Sequence, residues 1–290
     1  MSLFLLFFPS SVGNFRPMHI WKLLPILLGL SVVASALAAP NLKTVGIYVG
    51  NNSFPGLRTN DLRGCINDAN RYADAFQKVL GNVEGRLLIN SSVEQFKQAF
   101  QQAVVRCRSG EIGRLILTIS SHGTSWPSAD GRSATQAIIF SDVNESMTVG
   151  LLADSTFRGM LDQIPATVGV ELLLDTCYSG GVTRDVMGSR TALQWNPRYV
   201  PHPRFRPGLQ TLKPRALRSL EVEHMAQWAA CSESQTSADA FLGGDWHGAF
   251  TYVWVRNFLL RRDQPRSALL QAVQNELAPG YRQNPQLLTE

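Results

Sequence analysis

Two residue types able to do nucleophilic chemistry leave two mostly apolar runs of this 290-residue chain. His122 follows Arg114 to Ser121 (RLILTISS), and Cys177 follows Val170 to Leu174 with Asp175 and Thr176 between. Glycine comes soon after each, at Gly123 and at Gly180-Gly181. A thiol becomes a strong nucleophile when a base takes its proton, and imidazole is the side chain suited to that near neutral pH. A cysteine and a histidine at neighbouring strand ends are therefore a sufficient catalytic pair for attack on an acyl carbon. The blander alternative is a buried structural thiol and a satisfied core histidine; the two contexts together argue for the pair.

Such a pair needs strands whose ends converge. Lys43 to Gly50 reads as a strand ending in a turn at Asn51-Asn52. From Leu62 to Leu80, Ile66, Ala69, Ala73, Phe76 and Leu80 recur at helical spacing, with Cys65 and Asp68 three apart on one face. Leu87 to Ile89 reads as a short strand. Ser91 with Glu94 reads as a capping box before an amphipathic helix carrying Val93, Phe96, Phe100 and Val104. The histidine strand follows, and this alternation argues an α/β fold with a parallel sheet and crossover helices. Ligands bind at the carboxyl ends of such strands, where both candidate residues lie.

After His122, the pattern predicts a polar loop from Gly123 to Ala134, a strand at Ala137 to Phe140, a short helix capped by Ser155, and then the cysteine strand. Proline, arginine and glycine dominate from Thr183 to Arg218, which reads as an exposed loop. Met225 to Cys231 reads as a strand, and Ala249 to Leu260 and Leu269 to Leu277 as helices. His247-Gly248 is taken as structural, opening an apolar helix with no strand before it.

A hydrophobic content of 44% allows a full core, and one large domain over 39–290 is the economical division. Residues 1–38 have the parts of a secretory signal peptide: a basic start at His19 to Lys22, an apolar run from Leu23 to Ala34, and the small-residue site Ala36-Leu37-Ala38. Met18 is an alternative start, and an uncleaved anchor the alternative fate. The expected location is exported, periplasmic or secreted, with no stable membrane span once the signal is removed.

Removal of that segment takes two basic residues and lowers the net charge from +5 to +3. The surplus sits in the basic loop 184–218, where eight basic residues face one acid, Asp185. Basic residues in a proline-rich linker are not the aromatic-interleaved face that nucleic acid requires, so no nucleic-acid partner is expected. Four widely spaced cysteines could pair in an oxidising compartment. The absence of C-x-x-C and H-x-x-x-H spacings leaves zinc without support.

Five landmarks in order give the chain a family resemblance. They are G-C-x-N-D-A at Gly64, S-x-H-G at Ser120, D-x-C-x-S-G at Asp175, A-C-x-x-x-Q-T-S-A-D at Ala230, and N-P-Q at Asn284. From about Lys43 onward the chain resembles the metacaspases and their bacterial relatives among the caspase-like cysteine peptidases. The histidine of caspase-type enzymes lies roughly 50 residues before the cysteine, and His122 precedes Cys177 by 55. The resemblance implies a caspase-hemoglobinase fold, a mainly parallel six-stranded sheet with helices on both faces. It also implies hydrolysis of protein or peptide substrates after Arg or Lys, with Cys177 as nucleophile and His122 as general acid/base. Backbone N–H groups of Gly123 and Cys177 would hold the oxyanion. Cys65, Asp68, Ser120 and Asp175 would line the pocket for the basic side chain. Two carboxylates suit a guanidinium or ammonium, although Asp68 also reads as a helix amino-terminal charge and Asp175 as a turn former.

Many members of that family require calcium. Here only Asp130 lies between His122 and Asp142, and Arg184 precedes Asp185 beyond the cysteine, too few acids for a site wanting roughly six oxygen ligands. No metal and no cofactor are therefore expected. Two rivals remain: a catalytically silent or regulatory module on the same fold, and a legumain-like peptidase cutting after Asn. The basic loop, rich in the residue type the pocket should accept, is also where self-processing is expected.

Overall fold

The computed structural model describes residues 42–58, 60–129, 131, 133–178, 195–205, 224–232 and 235–288. The segment read as a signal peptide and most of the basic loop lie outside them. The chain begins with β1 (Lys43–Gly50), a 3-10 turn at Pro55–Leu57, α1 (Cys65–Leu80), β2 (Val83–Ile89), α2 (Val93–Arg108) and β3 (Ile112–Ser120). β4 (Gly123–Pro127), β5 (Ala134–Ile139), β6 (Leu151–Ala153), α3 (Asp154–Leu161) and β7 (Gly169–Asp175) follow. Then come β8 (Trp195–Pro197), β9 (Met225–Ala229), β10 (Ala238–Leu242), β11 (Asp245–Gly248), α4 (Ala249–Leu260), α5 (Arg266–Leu277) and β12 (Gln286–Leu288).

The central sheet has six strands in the order β12-β9-β7-β3-β1-β2, all parallel except β12. Side chains alternate across a strand, and the two faces bury separate cores. Val45, Ile47, Val49, Leu115, Leu117, Leu172 and Leu174 pack with α2 and α3. Tyr48, Ile116, Leu173 and Trp228 pack with α1, α4 and α5. The expected six-stranded, mainly parallel sheet with helices on both faces is present.

Local readings differ in several places. The capping box of α2 is Ser92 with Gln95, one residue later than Ser91 and Glu94, and α3 begins at Asp154 with no side-chain cap from Ser155. Ser91 instead donates its backbone N–H to the Asn51 side chain, linking the ends of β1 and β2. The polar stretch after His122 forms β4, antiparallel to β5, because Thr124 and Ser125 are buried against that partner. His247-Gly248 itself lies on a strand: β11 joins β10 and β8 in a small antiparallel sheet. Within the loop expected to be exposed, Trp195–Pro197 is the third strand of that sheet, and Arg198, Tyr199, Val200 and His202 are buried.

No disulfide links the four cysteines. Among the described residues, no helix is long and apolar enough to cross a membrane.

Candidate active site

Parallel pairing brings the ends of β3 and β7 level, with Ser120 opposite Asp175. His122 and Cys177 each lie two residues further on, so the register carries both to the same edge of the sheet. Gly123 sits against the Cys177 backbone so closely that a Cβ on it would come within 2.1 Å of the Cys177 carbonyl oxygen. Only glycine lets the two chain ends approach in this way.

The His122 ring is 3% exposed and packs against Phe54 at 5.0 Å between ring centres. Its Nε2 lies 2.7 Å from the Asn60 carbonyl oxygen. A carbonyl can only accept, so Nε2 carries the hydrogen and Nδ1 keeps its lone pair. Nδ1 is buried without a hydrogen-bond partner, which is the state a general base requires. Burial drives the imidazole pKa down to about 4, against the raising influence of the Asn60 carbonyl and with the Arg198 charge lowering it further. The ring is therefore neutral. The Cys177 thiol is buried and donates to the Gln235 carbonyl oxygen at 3.1 Å. Cys231 approaches the same oxygen at 3.5 Å, and its contact with Cys177, together with burial, raises its own thiol pKa.

Beside this pair lies a buried group of charges. Arg198 is fully buried; its Nη2 donates to Asp68 Oδ2 at 2.6 Å and to Asp239 Oδ1 at 3.0 Å, and its Nη1 is 3.2 Å from Asp175 Oδ1. Two helix starts help to keep three buried carboxylates around one guanidinium. Asp239 accepts the N–H groups of Arg63 and Gly64 ahead of α1, at 2.9 and 3.0 Å. At the start of α4, Asp68 accepts Gly248 N–H at 2.9 Å, while Asp175 accepts Thr251 N–H at 3.1 Å and its hydroxyl at 2.6 Å. Helix amino termini favour negative charge through these unpaired N–H groups and the helix dipole. Ser237 also donates its hydroxyl to Asp175.

Burial raises the Asp68 carboxyl pKa, but Arg198, with His247 Nδ1 3.7 Å away, outweighs it and holds the group below its usual value. For Asp175 burial wins over Arg198, and its carboxyl is raised. Burial alone would lower the Arg198 pKa, yet Asp175, Cys65, Asp68 and Asp239 hold it well above its ordinary value.

Asp68 and Asp175 thus meet at one basic side chain, that of Arg198. Cys65 is buried at the start of α1, near enough to these charges to feel all of them. Ser120 is buried with its hydroxyl unpartnered among the described residues. Sequence reasoning missed Asp239, Ser237, Thr251, Asn60 and the His247-Gly248 pair. His247-Gly248, taken as structural, belongs to this pocket: a Cβ on Gly248 would fall 2.0 Å from Asp175 Oδ2 and 2.7 Å from Arg198 Nη1. Asp239 closes the quoted A-C-x-x-x-Q-T-S-A-D motif, which was the available signal for it.

The backbone around Arg198 is held as firmly as its side chain. Trp195, Asn196 and Pro197 pair antiparallel with Ala240, Asp239 and Ala238. Arg198 N–H donates to the Ser237 carbonyl at 3.0 Å, and its carbonyl accepts Gly123 N–H at 3.0 Å. That carbonyl also lies close enough to the His122 ring to raise its pKa.

Asp142 accepts the N–H of Val93 at the start of α2. Among the described residues no group of three His, Cys, Asp or Glu side chains is placed to hold a metal ion. Asp130 and Asp185 lie outside the described residues.

The sheet order and the paired strand ends define a caspase-like α/β domain, and the chain belongs to the caspase domain family, whose model matches residues 44–290. Among curated relatives, Metacaspase-6 of Arabidopsis thaliana is 29% identical over 48% of this chain and 37% of its own length. Metacaspase-1 of Candida glabrata is 24% identical over 84% of this chain and 70% of its own. The chain spans under two fifths of the Arabidopsis relatives Metacaspase-6, Metacaspase-7 and Metacaspase-4. The fold is shared with the crystal structure of protein GSU0716 from Geobacter sulfurreducens, at a TM-score of 0.61, 18% identity, and coverage of 86% of this chain and 94% of that one.

Proposed function

We propose that this protein is a cysteine endopeptidase that cuts peptide bonds after Arg or Lys, and that its own bond after Arg198 is a substrate. The observation that carries this reading is the pose of Arg198, with its side chain among Asp68, Asp175 and Asp239 and its carbonyl oxygen on Gly123 N–H. Family membership supports the peptidase chemistry.

In this reading Cys177 Sγ attacks the carbonyl carbon of the basic residue while His122 Nδ1 takes the thiol proton. Negative charge develops on the oxygen held by Gly123 N–H, with Cys177 N–H as the expected second donor. His122 returns the proton to the departing amine, leaving a thioester on Cys177. Water, activated by His122, then releases the acid and restores the thiol. The Asn60 carbonyl keeps the imidazole in the tautomer that can do this. In the uncut chain the segment around Arg198 fills the cleft, so the same contacts that present the bond also block other substrates. No calcium-dependent step is included.

The test is to express the chain, wild type and Cys177→Ala, and to determine fragment masses and new amino termini. The wild type should give a fragment beginning at Tyr199, and Cys177→Ala should stay whole. Arg198→Ala should lose this cut and still hydrolyse added Arg peptides. An active wild type that stays intact would remove self-processing. Hydrolysis after Asp or Asn instead of Arg would remove the specificity.

A further inference from the structure

We infer that the cleft contains a second specificity pocket, two residues beyond the cut, that accepts a branched aliphatic side chain. The inference deepens the peptidase reading and rests on it.

Gly123 contacts both sides of the bond after Arg198. Its N–H donates to the Arg198 carbonyl, and its carbonyl accepts Val200 N–H at 3.0 Å. Tyr199 forms the parallel bridge opposite Gly123 between these two bonds. In extended backbone, residues two apart point to the same side. Arg198 and Val200 therefore enter the body of the protein together, one into the acidic pocket and the other into an apolar one. Val200 is 5% exposed and is buried with Phe54, Leu57, Leu62, Val143 and Met147.

The walls of this pocket come from two loops. One is the turn and loop from Phe54 to Leu62, and the other follows β5. Gly56 lets them close: a Cβ there would fall 2.0 Å from the Val143 carbonyl oxygen. The first loop also carries Asn60, whose carbonyl orients His122 and whose side chain donates to the Leu57 carbonyl at 3.1 Å. An aliphatic group seated against Leu57 and Leu62 thus braces the loop that holds the base. The side chains buried with Val200 are apolar, so a carboxylate or ammonium placed among them would lose hydration against hydrocarbon. The substrate class is an extended protein segment with Arg or Lys followed, one residue later, by Val, Ile or Leu.

The experiment uses the full chain and internally quenched peptides Trp-Asn-Pro-Arg-Tyr-X-Pro-His with X as Val, Ala or Asp. A fluorogenic peptide that ends at an Arg amide serves beside them. The expected kcat/KM falls on the order of tenfold from Val to Ala and further to Asp, as loss of apolar burial and burial of a charge require. In the chain itself, Val200→Asp should slow the cut after Arg198 by roughly tenfold or more while Val200→Ile keeps it. Equal rates for all three peptides, with cleavage after Arg intact, overturn the second pocket alone. Failure to cleave both the Arg amide and the Arg peptides overturns the peptidase reading and this pocket with it.

Discussion

The guanidinium of Arg198 and the carboxylate of Asp175, 23 residues apart in the chain, stand 3.2 Å from each other with no solvent exposure on either side chain. Asp175 is also two residues before Cys177. In the proposed peptidase, recognition of a basic side chain and placement of the thiol would therefore depend on one strand end.

Asp175→Asn should lower kcat/KM for Arg peptides roughly tenfold or more, because removing one member of a buried charge group leaves the others uncompensated. Steady-state kinetics on an Arg amide substrate measures it. A change of less than about twofold would put the basic side chain elsewhere.

Gly248→Ala is the sharper change. The backbone there, at φ −64° and ψ 128°, is one alanine adopts readily, so the only obstacle is the clash of the added carbon with Asp175 and Arg198. Hydrolysis after Arg should fall on the order of a hundredfold, while circular dichroism reports an intact fold. Wild-type activity in this variant would contradict the pocket geometry.

His122 gives a pH dependence with a definite sign. Its folded pKa, about 4, lies below the ordinary value of 6.5, so the unfolded chain binds the proton more tightly. The stability it contributes is fully present above pH 6.5 and is lost as pH falls toward 4. Between pH 7.5 and 4.5 the wild type should lose roughly 2.5 kcal/mol more than His122→Gln, by linkage of a shift of this size. Urea denaturation at the two pH values measures the difference; equal losses would mean that the ring is hydrated or paired.

Hydrolysis of Arg peptides should survive a calcium chelator, since the described acids do not assemble a site. Loss of activity with chelator and recovery on adding calcium would require ligands from elsewhere in the chain.

The sequence revealed the parts of the site that ride on long strands. β3 and β7 carry enough apolar residues to be recognised, and His122 and Cys177 come straight after them. Asn60 acts through its backbone carbonyl, which no residue type announces. β8, β10 and β11 are three to five residues long, too short for an alternating pattern to show. Gly248 was hidden for that reason, and Asp239 showed only as the last residue of a motif. Arg198 was concealed by composition: a proline- and arginine-rich run reads as solvated, and only the meeting of three distant carboxylates gives one of its arginines a buried place.

The segment Trp195 to Phe205 is joined covalently at both ends to the domain whose cleft it fills, and Trp195 is only 18 residues past Cys177. In the proposed peptidase it would compete with any added substrate at a local concentration on the order of millimolar, whatever the concentration of enzyme. A cut after Arg198 does not abolish that competition. Residues up to Arg198 would stay attached to β7, and residues from Tyr199 to β9, the next strand of the sheet. Cutting turns one bidentate occupant into two weaker ones, each free to leave and to return. The cut enzyme should therefore show an apparent KM inflated by its own chain ends, with full access to outside substrates only after those ends are trimmed or drawn away.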